Sequence, residues 1–526
     1  MDRSNGFSVS SSVGRLGSPL LLGLVAVLVA AAGGFAVVAS PVAILGVVAL
    51  ATAAVMATRP IMLLQATIVL AVVSLPDWIP ETVTIAGFQA RLGEVTLGLF
   101  VLTAILIQHS DRVWGGHVIF LRGLKHPLVY IAVLSLTSFV ALCVGVASGA
   151  SISVLWTDIR GIFQFLVCVV VAAAVVKLPV RRTLLRTFQW SIVASAVLLV
   201  LADTAGIRLH GRSEVAQLYR VGGGVLSQES SVRYLTSSTV AALFVLCAIL
   251  GMMLGGRRPS RVAWASFAAS IVICFYSYSR YQVLAIAAAF VCVVVVLLAR
   301  GRLKVAGRAV IGCLVIAVSI VLAAGAMSGT AFYDQLESRV SGYTVRVFGG
   351  LTSSTRDSDT STQDRVVENQ YMTAAIEDAP FLGHGYGYAY KPKSGPADRF
   401  AANGGQFYGH NYYFWLLMKT GILGLASFVL VLLAAMRRML RKSADDPEAL
   451  GILATLAGAS VCLAIAPLIN GYPSAGVLGA LVGVALAAPL GMGWSGKRLS
   501  NDESGDEEKT SFHAEVPALP RSDLSK

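Results

Sequence analysis

The chain has 526 residues, of which 56% are hydrophobic and 13% are charged, and its formal net charge is +13. This number of charged residues is too small to cover the surface of a soluble protein of this length. A lipid bilayer must therefore surround most of the chain. The positive charge does not indicate nucleic-acid binding, because the basic residues form short clusters between apolar runs and no continuous face. The composition therefore predicts an integral membrane protein.

Apolar runs of the length that a membrane-spanning helix needs recur from Leu20 to Val484. The first run is interpreted as a retained helix and not as a signal peptide, because Pro41 and a second apolar run follow it directly. Several runs are short or abut, so about 12 to 14 transmembrane helices are expected. The candidate spans are residues 20–39, 41–57, 61–76, 92–108, 127–147, 159–176, 187–203, 235–254, 262–278, 281–299, 309–327, 411–436, 448–467 and 474–494.

These spans predict an all-α polytopic integral membrane protein with four regions. Residues 1–327 are expected to hold transmembrane helices 1 to 11 with short loops, and residues 328–410 to form one large loop. Residues 411–494 would hold the last three transmembrane helices, and residues 495–526 would form a disordered tail.

Basic residues concentrate in alternate connections between the spans, and this bias predicts the orientation of the chain. It places both termini in the cytoplasm and the large loop outside it. Within that loop, Gln363–Asp378 has helical spacing and ends before Pro380. We therefore expect a small, partly helical cap over the membrane domain.

Three polar residues at the outer side are candidates for chemistry. Arg280 lies between two apolar runs, Arg365 opens the helix of the large loop, and His410 lies where that loop re-enters the bilayer. An arginine can bind phosphate through two parallel hydrogen bonds, and a histidine can exchange a proton near neutral pH. Each also has a structural alternative. Arg280 could be an arginine that snorkels to the interface, Arg365 could be a solvated charge, and His410 could be an interfacial anchor.

The stretches YSRYQVLAIAAAF, DRVVENQYMTAAIEDAPFLGHGYGYAY and GHNYYFWLLMKTGILGLASF resemble the O-antigen ligase and polymerase family in order and spacing. The family's elements are Ser-Arg before a helix, an arginine opening a loop helix, a Pro-x-x-Gly-x-Gly turn, and His-Asn before a Gly-x-x-Gly helix. The corresponding residues are Ser279, Arg280, Arg365, Pro380, Gly383, Gly385, His410, Asn411, Gly421 and Gly424. One departure is Lys419, where the family often has an acidic residue.

The resemblance implies a GT-C-like membrane glycosyltransferase in the bacterial cytoplasmic membrane, working on its outer face without metal or another cofactor. Its implied partners are a polyprenyl-pyrophosphate-linked glycan donor, a glycan or other cell-envelope acceptor, and the bilayer. Polymerase and ligase share these motifs, so the resemblance leaves both open. A flippase for the same lipid-linked substrate is the alternative, although transporters place their charges near the membrane midplane.

On this interpretation, Arg280 and Arg365 stabilise the pyrophosphate leaving group, and His410 deprotonates the acceptor hydroxyl. A single direct displacement of this kind would invert the configuration at the anomeric carbon. The candidates for substrate contacts are Arg160, Arg233, His384, Asn411 and Tyr412. His384 is also a candidate second acid or base. Aromatic residues around His410 could stack on sugars or form an interfacial belt, and both interpretations remain open.

Overall fold

The structure is a computed structural model, and it describes residues 60–85, 88–108, 125–176, 180–221, 224–305, 307, 310–311, 340, 343, 360–394, 404–470 and 473–487. The predicted spans at 20–39 and 41–57, nearly all of the span at 309–327, and the predicted tail at 495–526 lie outside the described residues.

The described part of the chain is mostly helical. Six of its helices are long and apolar enough to cross a membrane, and five shorter apolar helices accompany them. Each coincides with a predicted span, which confirms the all-α, multi-pass membrane fold. The helices are α1 (Pro60–Val72), α2 (Leu92–Gln108), α3 (Lys125–Ala147), α4 (Ile152–Val175), α5 (Arg181–Ala205), α6 (Ser238–Leu254), α7 (Arg261–Ser277), α8 (Arg280–Ala299), α9 (Thr360–Asp378), α10 (Tyr412–Lys442), α11 (Pro447–Ile465) and α12 (Ser474–Ala487).

Two antiparallel hairpins extend loops at one end of the helical bundle. Strand β1 (Thr82–Ile85) pairs with β2 (Phe88–Arg91), and β3 (Arg212–Val221) pairs with β4 (Gly224–Leu235). No strand is predicted from the sequence, because a window of helix length averages over such short extended segments. The hairpins add local strand structure to the predicted helical fold without changing its class.

One end of the bundle is fixed by arginines that follow α8. The guanidinium of Arg300 donates hydrogen bonds to Leu440 O at 2.5 Å and to Ser443 Oγ at 3.0 Å. Arg302 donates to Ala444 O at 3.1 Å. The basic ends of α8 and α10 therefore lie together, at the end that the charge bias assigns to the cytoplasm.

The opposite ends of the same helices are joined through α11. Tyr413, at the start of α10, donates its hydroxyl proton to Ser460 O at 2.9 Å. Cys462 donates to Tyr281 O, near the start of α8, at 3.5 Å. The first residues of α8 and α10 therefore lie beside the same turn of α11, at what we call the outer end.

Helix α4 is held by close contact with α12. A Cβ atom added at Gly479 would lie 2.3 Å from Phe165 O, and one added at Gly483 would lie 2.2 Å from Val169 O. These backbones can approach only because both positions lack side chains, which is typical of helix packing in membranes. The contact fixes α4, which carries Asp158 and Arg160.

Helix α10 is kinked at Gly421, whose backbone angles are φ 67° and ψ −173°. Residues with a side chain almost never adopt this conformation. The kink also brings Gly421 within backbone contact of the large loop, because an added Cβ there would lie 1.9 Å from Phe381 O. The sequence therefore needs glycine at this point of an otherwise apolar helix.

Candidate active site

A carboxylate–imidazole pair lies at the outer end, between α9 and the segment that leads into α10. The Nδ1 atom of His410 is 2.6 Å from Glu368 Oε2, and the His410 backbone N–H donates to Glu368 Oε1 at 2.8 Å. Glu368 is only 2% exposed, whereas the side chain of His410 is 39% exposed. The pair therefore has a buried acidic half and an accessible basic half.

Glu368 reaches His410 because it lies on the buried face of α9. The buried residues Glu368, Met372 and Ala375 recur at helical spacing, and Arg365 lies one turn earlier on the same face. Val366 and Val367 lie outside this face and are about half exposed. Helix α9 thus directs Glu368 toward α10.

Three local features hold His410 at the start of α10. The side chain of Asn411 caps the helix by accepting a hydrogen bond from Phe414 N at 3.3 Å. Trp415 Nε1 donates to Phe407 O at 2.8 Å. Gly409 allows α9 to approach, because an added Cβ would lie 3.0 Å from Met372 Sδ. The His-Asn sequence therefore places the imidazole just outside a capped helix.

Tyr390 completes the surroundings of Glu368. Its hydroxyl lies 2.9 Å from Glu368 Oε1 and 2.6 Å from Tyr408 O, and its single proton is shared between these acceptors. Burial alone would raise the pKa of Glu368, but the hydrogen bonds and charge of His410, with the charge of Lys391, lower that pKa overall. Burial and the Glu368 carboxylate raise the pKa of Tyr390. Glu368 is therefore held ionised, and Tyr390 is held neutral.

The geometry determines which nitrogen of His410 is available for chemistry. An ionised carboxylate can only accept a hydrogen bond, so Nδ1 of His410 must carry a proton. The neutral imidazole then has its lone pair on Nε2. A carboxylate placed this way orients the ring and stabilises the imidazolium that forms when Nε2 takes a proton. The pair is therefore arranged as an oriented general base.

Arg280 begins α8 at the same outer end. Tyr278, in a left-handed conformation with φ 44°, ends α7, and Ser279 precedes α8. The guanidinium of Arg233 donates to Ser277 O at 3.0 Å and to Ser279 Oγ at 3.4 Å. The structure thus brings Arg233 to the turn that presents Arg280, and it gives Arg233 a part in holding that turn.

Arg160 is occupied by a different partner. Its guanidinium makes a two-point contact with the carboxylate of Glu94, with Nη2 2.5 Å from Oε2. Glu94 also accepts a hydrogen bond from Arg91 N at 2.9 Å, so this contact joins α4 to the start of α2. Both side chains are mostly buried. The geometry therefore gives Arg160 a structural partner.

His384 lies in the turn after α9 and is held firmly. Its Nε2 donates to Ala375 O at 2.7 Å, and its ring stacks on Tyr388 with centroids 4.0 Å apart. The backbone N–H of His384 donates to Met418 O at 2.8 Å. Backbone groups of α9 and α10 therefore hold His384 in this turn.

Tyr412 does not face the surface of the site. It is 0% exposed, and its ring packs between Trp415 and Phe428 with centroids 5.5 Å from each. Tyr386 and Tyr390 are also buried. Tyr412 therefore has a packing role in this structure, and its predicted substrate contact stays a prediction. Among the aromatic residues near the pair, Tyr408 does contact His410, edge to face at 5.3 Å.

A second carboxylate–base pair lies deeper, between α4 and α10. Lys419 Nζ is 2.6 Å from Asp158 Oδ2 and donates to Tyr388 O at 2.8 Å. The same carboxylate oxygen accepts a hydrogen bond from Gly387 N at 2.8 Å. The Lys419 and Asp158 side chains are 0% and 6% exposed. Lys419, the departure from the family pattern, therefore fastens the turn after α9 to the membrane domain.

The sequence did not identify Glu368 or Asp158 as site residues, and it offered Tyr390 only as one of the aromatic residues that could stack on sugars. Glu368 had one usable signal, because it lies three residues after Arg365 on the face of α9 that meets the membrane domain. Lys419 had another, since a charge inside an apolar span needs a partner. No local pattern identifies Asp158, which is 261 positions from Lys419.

Comparison with known proteins gives one family match. Residues 265–429 match the family model described as O-antigen ligase. This stretch contains Arg280, Arg365, Glu368, His410 and Lys419. No curated protein matches the chain.

Proposed function

We propose that the protein is a membrane glycosyltransferase that uses a polyprenyl-pyrophosphate-linked glycan as donor, because residues 265–429 match the O-antigen ligase family model. It acts as a polymerase or ligase in cell-surface polysaccharide assembly. The acceptor is a glycan or another cell-envelope molecule at the outer face of the bacterial cytoplasmic membrane. Both termini then lie in the cytoplasm, consistent with the basic ends of α8 and α10.

The observation that carries the proposal is the Glu368–His410 pair. Glycan transfer requires a base, because the acceptor hydroxyl must lose its proton as its oxygen attacks the anomeric carbon. Nε2 of His410 accepts that proton, and the buried Glu368 carboxylate at 2.6 Å stabilises the resulting imidazolium. The new glycosidic bond forms as the anomeric carbon–phosphate oxygen bond breaks, and the pyrophosphate leaves with the electron pair.

We assign Arg280 to that leaving group. Helix α8 has 20 residues from Arg280 to Ala299, a rise of about 30 Å, which matches the thickness of the hydrocarbon core. With Arg300 at the cytoplasmic boundary, Arg280 lies at the outer boundary, where the pyrophosphate of a membrane-embedded carrier would lie. Its guanidinium can balance the charge that develops on the leaving oxygen.

Arg365 and Arg233 are assigned supporting roles. Arg365 shares the buried face of α9 with Glu368 and is assigned to the donor phosphates or glycan. Arg233 holds the turn before Arg280 through Ser277 and Ser279. With guanidinium groups at the leaving group, we propose that no metal ion is needed. One direct displacement with His410 as base inverts the anomeric configuration.

The test is transfer by purified full-length protein in liposomes, with a polyprenyl-pyrophosphate oligosaccharide, candidate acceptors and a metal chelator. Wild type should transfer the glycan, and His410→Ala and Arg280→Ala should each lose at least about 100-fold in rate. A ladder of product sizes would indicate polymerisation, and a single addition would indicate ligation. Absence of transfer with measurable translocation of the lipid-linked glycan would contradict the proposal and favour a flippase.

A further inference from the structure

The turn that follows α9 reaches inward past the outer ends of the helices that it contacts. It docks at Gly421, eight residues along α10 from Tyr413, which is about 12 Å inward from the outer end. Tyr386 N donates to Ala141 O, six residues from the outer end of α3, and Gly387 N donates to Asp158, six residues into α4. Both distances correspond to about 9 Å. The turn also contacts Gly145, two residues from the end of α3, so it runs from near the outer helix ends to about 12 Å inward.

Five consecutive N–H groups of this turn, from Gly383 to Gly387, are satisfied by protein, as a segment inside a bilayer requires. Gly383 N donates to Ala379 O at 3.1 Å, and His384 N to Met418 O at 2.8 Å. The next two N–H groups, of Gly385 and Tyr386, donate to Lys419 O and Ala141 O at 3.0 and 3.1 Å. Gly387 N donates to the Asp158 carboxylate.

The turn can lie so deep because two glycines allow backbone-to-backbone contact with α10. Gly383 has φ 68°, and an added Cβ would lie 2.5 Å from the carbonyl carbon of Lys419. Gly421 adopts the non-helical backbone angles of the kink. The next residue, Ile422, donates its backbone N–H to Pro380 O at 2.9 Å. The Pro-x-x-Gly-x-Gly turn and Gly421 of α10 therefore contact each other directly through their backbones.

Two large apolar side chains of the turn nevertheless face outward. Phe381 is 72% exposed and Leu382 is 55% exposed. They adjoin Ile422 and Leu423 of α10, which are also exposed. Further along α10, Leu430 and Leu433 are exposed as well, and Leu423, Leu430 and Leu433 share one side of the helix. The turn therefore extends an apolar face of a membrane-spanning helix.

From this depth, backbone pairing and apolar exposure, we infer that Pro380–Tyr388 is a re-entrant turn whose Phe381 and Leu382 side chains contact the lipid hydrocarbon. Lipid is the partner because the surface continues the exposed side of α10, and because about 9 to 12 Å of depth lies within the hydrocarbon half-thickness. The turn follows α9 directly, so this contact anchors the helix that carries Glu368. The inference does not depend on the reaction that the site performs.

Spin labelling of the full chain in proteoliposomes tests the inference. Single cysteines at Phe381→Cys and Leu382→Cys are placed in a background whose seven native cysteines are replaced. Leu430→Cys is the matched lipid-facing control, and Lys393→Cys, in the loop beyond the turn, is the water-facing control. Both test positions are exposed, so neither substitution disturbs the core.

The inference predicts that labels at positions 381 and 382 collide with oxygen more than with a water-soluble nickel chelate, as the label at position 430 does. Labels that behave like the one at position 393 would place the turn in water and overturn the inference. Low collision with both reagents would place the side chains against protein and would equally overturn the lipid contact. Transfer activity does not enter the readout.

Discussion

The chain contains two carboxylate–base pairs with the same 2.6 Å separation and different surroundings. The Asp158–Lys419 pair is closed on all sides, and its remaining hydrogen bonds go to backbone groups of the re-entrant turn. The Glu368–His410 pair is closed on its acidic side and accessible on its basic side. The two pairs therefore differ in solvent access to the basic side chain and not in the separation of their atoms. The closed pair has a structural role, and the open pair can react.

Removing one member of the closed pair should have the largest effect on stability. Lys419→Met leaves the Asp158 carboxylate buried without its counter-charge, which should cost roughly 3–5 kcal/mol. The expected result is a large fall in Tm in detergent. The control is Asp158→Asn with Lys419→Met, which should recover part of the loss because no charge remains buried. If the double variant is as unstable as the single one, the ion pair is not the source of the stability.

Glu368→Gln tests the open pair at its buried half. The amide keeps the shape of the side chain but cannot stabilise an imidazolium, so transfer should fall by about 10- to 100-fold, the scale typical of groups that orient a reacting group. Glu377→Gln, on the exposed side of the same helix, is the matched control and should retain activity. Equal rates for wild type and Glu368→Gln would remove Glu368 from the mechanism.

The same pair should show a defined dependence of stability on pH. The pKa of Glu368 is lowered from the ordinary carboxyl value of 4.5, so its contribution to stability is complete above that pH. It is lost as the pH falls through the lowered pKa. The difference in Tm between wild type and Glu368→Gln should therefore be present near neutrality and shrink as the pH falls well below 4.5. A difference that persists unchanged at such acidic pH would contradict an ionised Glu368.

Arg160 should show the smallest effect on transfer. Its guanidinium is committed to Glu94, so Arg160→Gln should change the transfer rate by less than about threefold, with a modest loss of stability. Arg280→Gln is the comparison and should lose far more activity. A similar large loss in both variants would show that Arg160 also acts on the substrate.

The sequence predicts the helices well and the site only in part. Apolar runs reveal α1 to α8 and α10 to α12 because hydrocarbon demands helices of that length. His410, Arg280 and Arg365 were visible as polar residues at the outer boundary. Glu368 was missed because a single glutamate in a polar loop helix resembles a solvated charge.

The deep turn was missed for a different reason. Its position depends on Gly421 and on Asp158, which lie far from Pro380 in sequence, so no local pattern shows that an outer loop enters the membrane domain. Lys419 and Gly421 inside an apolar span were signals of a partner and of a kink. Only the folded structure identifies what they contact.

Chemical rescue of His410→Ala tests the central claim most directly. Removing the imidazole leaves Glu368 and the arginines in place, so the purified variant should bind the lipid-linked donor but transfer it at a small fraction of the wild-type rate. Free imidazole added to the assay should restore part of that rate, because it supplies the missing base. Transfer by His410→Ala at the wild-type rate without imidazole would contradict the assignment of His410 as the base.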